Sequence, residues 1–203
     1  METGRLEAFS DGVFAIAVTL LVLDVKVPEV SGSLGAALAH QWPVYASYAV
    51  SFLTVGIMWV NHHTMLRHFD RADRPFLLIN VLFLMAVSFV PFPTAVVSAY
   101  FRESESATTA ALAYGLTMVV VALMFNLVWR YGTYNGRLLR EGYDRREVSG
   151  ISRTYLLGPL MYAVATVAAL ANAYLSLALF AALAVFWALS GAIFGRDEEP
   201  LTP

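Results

Sequence analysis

The chain contains no cysteine, so neither a disulfide nor a thiolate metal site can form. It is also poor in charge. Only 14% of its 203 residues are Asp, Glu, Lys or Arg, where soluble domains carry about 25%. With 59% hydrophobic residues and a mean hydropathy of +0.64, a soluble fold of this size would be left with an apolar exterior. A bilayer as solvent removes that conflict, and an integral membrane protein is expected. The formal net charge of -2 lacks the basic excess that a nucleic-acid partner requires. There is no Gly-x-x-x-x-Gly-Lys-Ser/Thr loop, no His-Glu-x-x-His, no Gly-x-Ser-x-Gly and no glycine-rich phosphate cradle. Nothing therefore points to an enzyme or to a cofactor. The first residues, Met1 to Glu7, carry neither a basic n-region nor a small-residue cleavage site, so the first apolar segment is expected to be retained.

What is present is a succession of apolar runs. A hydrocarbon core of about 30 Å needs roughly 20 apolar residues in a helix. Six such helices fit, over about 6–26, 41–66, 75–100, 107–129, 154–171 and 174–195. The expected architecture is one all-α membrane domain, residues 1–203, of six transmembrane helices. Pro75 suits a first helical turn, Pro91 and Pro93 should kink the third helix, and Asn172 to Tyr174 marks the turn between the last two. The Phe9-Ser10-Asp11 pattern has no second copy, so the chain carries one repeat.

Basic residues set the orientation. Of the thirteen, Arg67, Arg71 and Arg74 lie between helices two and three, and Arg130, Arg137, Arg140, Arg145, Arg146 and Arg153 lie between four and five. Arg5 and Arg196 sit near the two ends, and only Lys26 and Arg102 fall on the opposite side. By the positive-inside rule both termini are cytoplasmic in the cell membrane. The stretch from Tyr131 to Ser152 becomes a cytoplasmic linker with room for a surface helix, and Glu198 to Pro203 a frayed tail. Asp70 and Asp73 read as part of a solvated charge run. Trp42, Tyr45, Tyr48, Tyr100, Trp129 and Tyr131 suit interfacial belts, and Asn80, Asn126 and Asn172 suit interhelical hydrogen bonds.

The first helix is the unusual one. Arg5 precedes Phe9-Ser10-Asp11, and an apolar run follows from Gly12 to Leu23. A charge within a membrane segment is costly and marks a functional site by default. Val13, Ile16, Leu20 and Leu23 fall on one stripe at helical spacing, with Thr19 about 100° from Leu20. Such a stripe is either lipid- or bundle-facing surface, or a hydrophobic constriction of the kind that gates by dewetting. Asp11 needs partners if buried, and Trp59-Val60-Asn61-His62-His63 on the second helix offers them. A buried polar cluster of Asp11, Arg5 and one histidine is expected, with Ser10 as a cap or helix tie. His62 and His63 point about 100° apart and have no acidic residue one turn on, so a metal site is not expected.

The pattern Arg-x-x-x-Phe-Ser-Asp at the head of an apolar helix resembles the transmembrane protein 175 potassium channels, in particular the bacterial members with a single six-helix repeat. The resemblance covers the motif, the six-helix layout and the cytoplasmic termini. It implies a multimer, a homotetramer, around a central pore lined by helix one, since a single copy of that helix cannot enclose a pore. It further implies that Ile16, Leu20 and Leu23 form the constriction and that Thr19 contributes to potassium preference. There is no Thr-Val-Gly-Tyr-Gly filter of the usual potassium channels, and no arginine-periodic voltage-sensing helix. Without filter carbonyls, a potassium-permeable, weakly selective cation channel is expected, passing some sodium. The other reading is a proton-coupled secondary transporter that relays protons through Asp11 and a helix-two histidine.

Overall fold

The computed structural model describes residues 3–29 and 32–194. Those residues form eight α-helices: α1 Gly4–Leu20, α2 Leu34–His40, α3 Trp42–Leu66, α4 Arg74–Phe89, α5 Pro91–Tyr100, α6 Ser104–Thr133, α7 Arg145–Ala168 and α8 Ala173–Phe194. A 3-10 turn, Leu21–Asp24, continues α1. Among the described residues, four segments are long and apolar enough to cross a membrane: Gly4–Asp24, Trp42–Leu66, Arg74–Tyr100 and Ser106–Gly136. The chain is a multi-pass membrane protein. The tail from Glu198 to Pro203 and the end of the last predicted helix lie outside the described residues.

The helix limits have local causes. Asp73 caps α4, its carboxylate accepting the Phe76 amide at 3.0 Å, and Pro75 sits in the first turn, where no N–H is needed. The helix breaks at Pro91, which cannot donate backward. The Val87 carbonyl, which Pro91 cannot reach, takes the Val90 amide at 3.1 Å instead, and the Thr94 amide and hydroxyl both donate to the Val90 carbonyl, at 3.2 and 2.9 Å. Asp144 caps α7 through the Arg146 amide at 2.7 Å. Asn172 caps α8 by accepting from the amides of Tyr174 and Leu175 at 2.9 and 3.1 Å. This corrects the expectation for Asn172, which serves its own chain turn and not a neighbouring helix.

In a bilayer the helices gain little from hydrophobic burial against one another, so close packing and interhelical hydrogen bonds matter more. Among the helices, α6 packs against α4, α5, α7 and α8, while α1 lies on α3 and α4. Phe14, Phe83, Val87, Met118 and Val121 fill the centre. A buried trio of Ser51, Thr94 and Tyr114 ties α3 to α5 and α6, with Ser51 Oγ 2.8 Å from Thr94 Oγ1 and donating to Tyr114 Oη at 3.3 Å.

The polar linker is more ordered than its composition suggests. Its segment at Leu138–Arg140 lies antiparallel to His68–Asp70: the Asp70 amide donates to the Leu138 carbonyl at 3.1 Å, and the Arg140 amide to the His68 carbonyl at 3.1 Å. Asn135, Gly136 and Gly142 adopt positive φ (55°, 69° and 80°) to make the turns, which favours asparagine and glycine there. Asp70 pairs with Arg140 at 3.2 Å, and Asp73 with Arg137. The acidic residues are thus not merely solvated: they clasp the linker to the α3–α4 loop. Trp129 is a second correction. It is buried, not interfacial, because Phe69 of that loop folds over it with ring centroids 5.8 Å apart, and its indole donates to Ser152 Oγ at 2.8 Å.

Desolvation pushes the Asp73 carboxyl up, but the Phe76 amide, the Tyr131 hydroxyl and the Arg137 guanidinium outweigh it and hold the group below the ordinary carboxylate range. A lowered folded-state pKa adds stability above the unfolded value and loses it as pH falls through the folded value. Acidification below the ordinary carboxylate range should therefore loosen this clasp, and Asp73→Asn should flatten that acid limb. Melting temperature against pH for the two proteins checks this; parallel acid limbs would refute it.

Candidate functional site

Helix α1 has two faces. Leu6, Ser10, Phe14 and Ala17, followed by Leu21, are buried against the bundle, at helical spacing. A hydroxyl can be buried at Ser10 because its Oγ donates to the Leu6 carbonyl at 2.8 Å. Phe14 packs against the rings of His62 and Phe83, at 5.7 and 6.0 Å between centroids. The other face is bare in the single chain: Phe9 is 55% exposed, Ile16 62%, Leu20 41% and Leu23 66%. Thr19 is exposed between them, its hydroxyl donating to the Ile16 carbonyl at 2.9 Å. Val13, read in the sequence as part of that stripe, is half-buried and packs on the core instead.

The polar residues form two rungs between α1 and α3. Trp59 Nε1 donates to Asp11 Oδ1 at 2.7 Å. Glu7 Oε1 lies 2.6 Å from His63 Nδ1. Glu7 and Asp11 are four residues apart, as are Trp59 and His63, so the rungs follow from the antiparallel course of two helices whose i and i+4 positions share a face. A third contact faces the core. His62 Nε2 lies 3.0 Å from Asn80 Oδ1, and Asn80 Nδ2 donates to the Phe76 carbonyl at 2.9 Å. With the amide nitrogen already donating, Oδ1 is the acceptor and His62 carries its proton on Nε2.

The single buried cluster expected of Asp11, Arg5 and a histidine is therefore not formed in the chain. Asp11 and Arg5 are exposed, Asp11 is held by Trp59, and the two histidines go to different partners. The reason is rotational: His62 and His63 leave α3 about 100° apart, one toward α4 and one toward α1. Sequence reasoning named Trp59, His62 and His63 but missed Glu7 and the pairing of Asn80 with His62. The matched four-residue spacings on α1 and α3 were the available signal for Glu7. Among the described residues no group of three His, Cys, Asp or Glu side chains could hold a metal.

Chemically, this arrangement offers no nucleophile activated by a base. It offers a helix pinned to α3 by two polar contacts on one side and presenting bulky aliphatics and one hydroxyl on the other.

Residues 5–91 match the family described as "Endosomal/lysosomal potassium channel TMEM175". A potassium channel of Streptomyces collinus is 45% identical over 188 residues, covering 92% of this chain and 91% of that protein. A potassium channel of Chamaesiphon minutus is 42% identical over 192 residues, covering 93% and 94%. The crystal structure of a lysosomal potassium-selective channel TMEM175 homolog from Chamaesiphon minutus superposes with a TM-score of 0.85 at 38% identity, over 93% of this chain and 97% of that one.

Proposed function

The chain belongs to the transmembrane protein 175 family, alongside its bacterial potassium channels, and from that premise we propose that it is a potassium-permeable, weakly selective cation channel. The observation that carries the reading is the uncovered face of α1, where Ile16, Leu20 and Leu23 project together behind the Phe9-Ser10-Asp11 motif. A row of bulky aliphatics on a helix whose other side is fully engaged is suited to meeting copies of itself around an axis. One helix cannot enclose a water column, so the working unit is a multimer, a homotetramer by likeness to the family. The domain, residues 1–203, crosses the cell membrane six times, with α7 and α8 as the fifth and sixth spans and both termini cytoplasmic.

In this reading potassium, and to a lesser degree sodium, passes down its gradient through a path narrowed at Ile16, Leu20 and Leu23. These side chains cannot replace a hydration shell, and with no carbonyl filter the discrimination between the two ions is weak. Thr19, exposed within the stripe, is the group that favours potassium. The rungs Asp11–Trp59 and Glu7–His63, with Ser10 and His62 on the buried side and Arg5 and Phe9 at the cytoplasmic end, fix the rotation of α1 and so aim the stripe. No cofactor and no metal takes part.

The test is reconstitution. Mass measurement of the solubilised complex should give four copies, and single-channel recording should give unitary currents in potassium and smaller ones in sodium. Flux that saturates at low ion concentration and follows an imposed pH gradient would instead indicate the proton-coupled transporter, and absence of any current would refute the channel.

A further inference from the structure

Three arginines stand at one level around the end of α6. The Tyr131 hydroxyl donates to Asp73 Oδ2 at 3.0 Å, which brings Arg130 level with Arg74. The Trp129 indole donates to Ser152 Oγ at 2.8 Å, which brings Arg130 level with Arg153. Successive side chains leave a helix about 100° apart. Residue 129 turns toward α7 and residue 131 toward α4, so Arg130 points outward between them, over the seam that α4 and α7 flank. All three arginines are exposed.

Each of them also ends an apolar stripe at helical spacing. Arg74 precedes Leu78 and Met85 on α4, Arg130 follows Leu123 and Leu127 on α6, and Arg153 precedes Leu157 and Leu160 on α7. Those six apolar side chains are exposed too. Helices α4 and α6 belong to segments that can cross a membrane, so the stripes lie at the depth of acyl chains. Arginines at such helix ends reach to the headgroup level. The carboxylates of the same loops are engaged elsewhere. Asp73 holds Arg137 and Asp70 holds Arg140. Glu147 lies 3.6 Å from His68, and Asp144 caps α7. Among the described residues none of Arg74, Arg130 and Arg153 has a carboxylate partner.

We propose that this face is a binding site for an anionic glycerophospholipid, its phosphate held by Arg130 with Arg74 on one side and Arg153 on the other, and its tails lying along the seams beside α6. Guanidinium forks match phosphate oxygens in shape and charge. The headgroup is anionic because a zwitterionic one brings its own cation and leaves the three arginines unbalanced. The ligand is a lipid and not a free phosphate because an exposed apolar stripe runs on from each arginine. None of this depends on what α1 conducts, so the site stands or falls independently of the channel reading.

The test uses the full chain in a neutral detergent with equimolar dioleoyl phosphatidylglycerol and dioleoyl phosphatidylcholine, and native mass spectrometry counts the lipids retained. The anionic lipid is expected to be retained with at least a tenfold preference. Arg74→Gln combined with Arg130→Gln should bring the preference close to parity, at about fivefold for each arginine lost. Arg71→Gln combined with Arg145→Gln removes the same charge from exposed positions away from the stripes, and should leave the preference intact. If the first pair does not fold, Arg130→Gln alone should still show its fivefold loss. Glycerol phosphate added in excess should not displace the lipid. Equal retention of the two lipids by the unaltered chain would overturn the proposal. So would a preference that survives at Arg74 and Arg130, an equal loss in the loop pair, or displacement by glycerol phosphate.

Discussion

Single replacement of Ile16, Leu20 or Leu23 by asparagine should raise potassium flux into proteoliposomes on the order of tenfold, since a barrier lowered by about 1.4 kcal/mol is a factor of ten in rate. The argument is one of wetting. A narrow aliphatic ring excludes water when the cost of confining it exceeds what the walls return. In a multimer each substitution enters once per copy, so one change places several amides at the same height. Leu21 provides the control. It is adjacent in sequence but buried, so Leu21→Asn should lower stability and leave the path as narrow as before. Potassium-sensitive fluorescence with matched protein incorporation measures both effects. If all three outward variants leak at the wild-type rate, the constriction lies elsewhere.

The second large effect is on stability. Asn80→Leu should destabilise the solubilised protein by about 1–3 kcal/mol, the cost of stranding a buried polar partner. His62 would keep its Nε2–H inside a packed ring cluster, stacked on Phe83 at 5.2 Å, with nothing to receive the proton. Removing both partners is a different matter. His62→Leu combined with Asn80→Leu replaces two polar groups with apolar ones, which can be nearly neutral. The double variant should therefore recover much of the loss, and the cycle should be strongly non-additive. Thermal unfolding of the four proteins in one detergent decides it. Additive losses would mean that the two residues do not act as a pair.

Much of the helical layout was legible because the apolar runs are long and their ends are marked. Asp73 and Pro75 open one helix, Pro91 interrupts it, and Asn172 opens the last. The start of α7 was not legible. Its first turns, from Arg145, carry enough charge to read as loop, although the Asp144 cap stands in plain view. Trp129 was misread for a related reason. A tryptophan at the end of an apolar run normally meets the headgroups, and only the folding of the Phe69 loop over it, against Gly132, puts it in the interior.

At the candidate site the residue types were readable and the partners were not. Asp11, Trp59 and the two histidines were recognisable from charge and position. Which pairs with which depends on the rotation of α3 about its own axis, and adjacent residues on a helix diverge by about 100°. That rotation is set by Phe14, His62 and Phe83 packing together, a three-helix contact that no local pattern encodes. The clasp between the two arginine-rich loops was hidden likewise, since charges that balance across seventy residues of chain look like scattered surface polarity until the loops meet.

The carboxylate of Asp11 also bears on how such a protein is made. It sits on the outer surface of the lone chain, steadied by one indole, beside aliphatics with nothing to touch. Acyl tails are a poor host for that group. In the multimer proposed above, association with other copies is the step that would cover this group. If the assembly proposed above forms, solitary copies are the ones that leave this segment unshielded in the membrane.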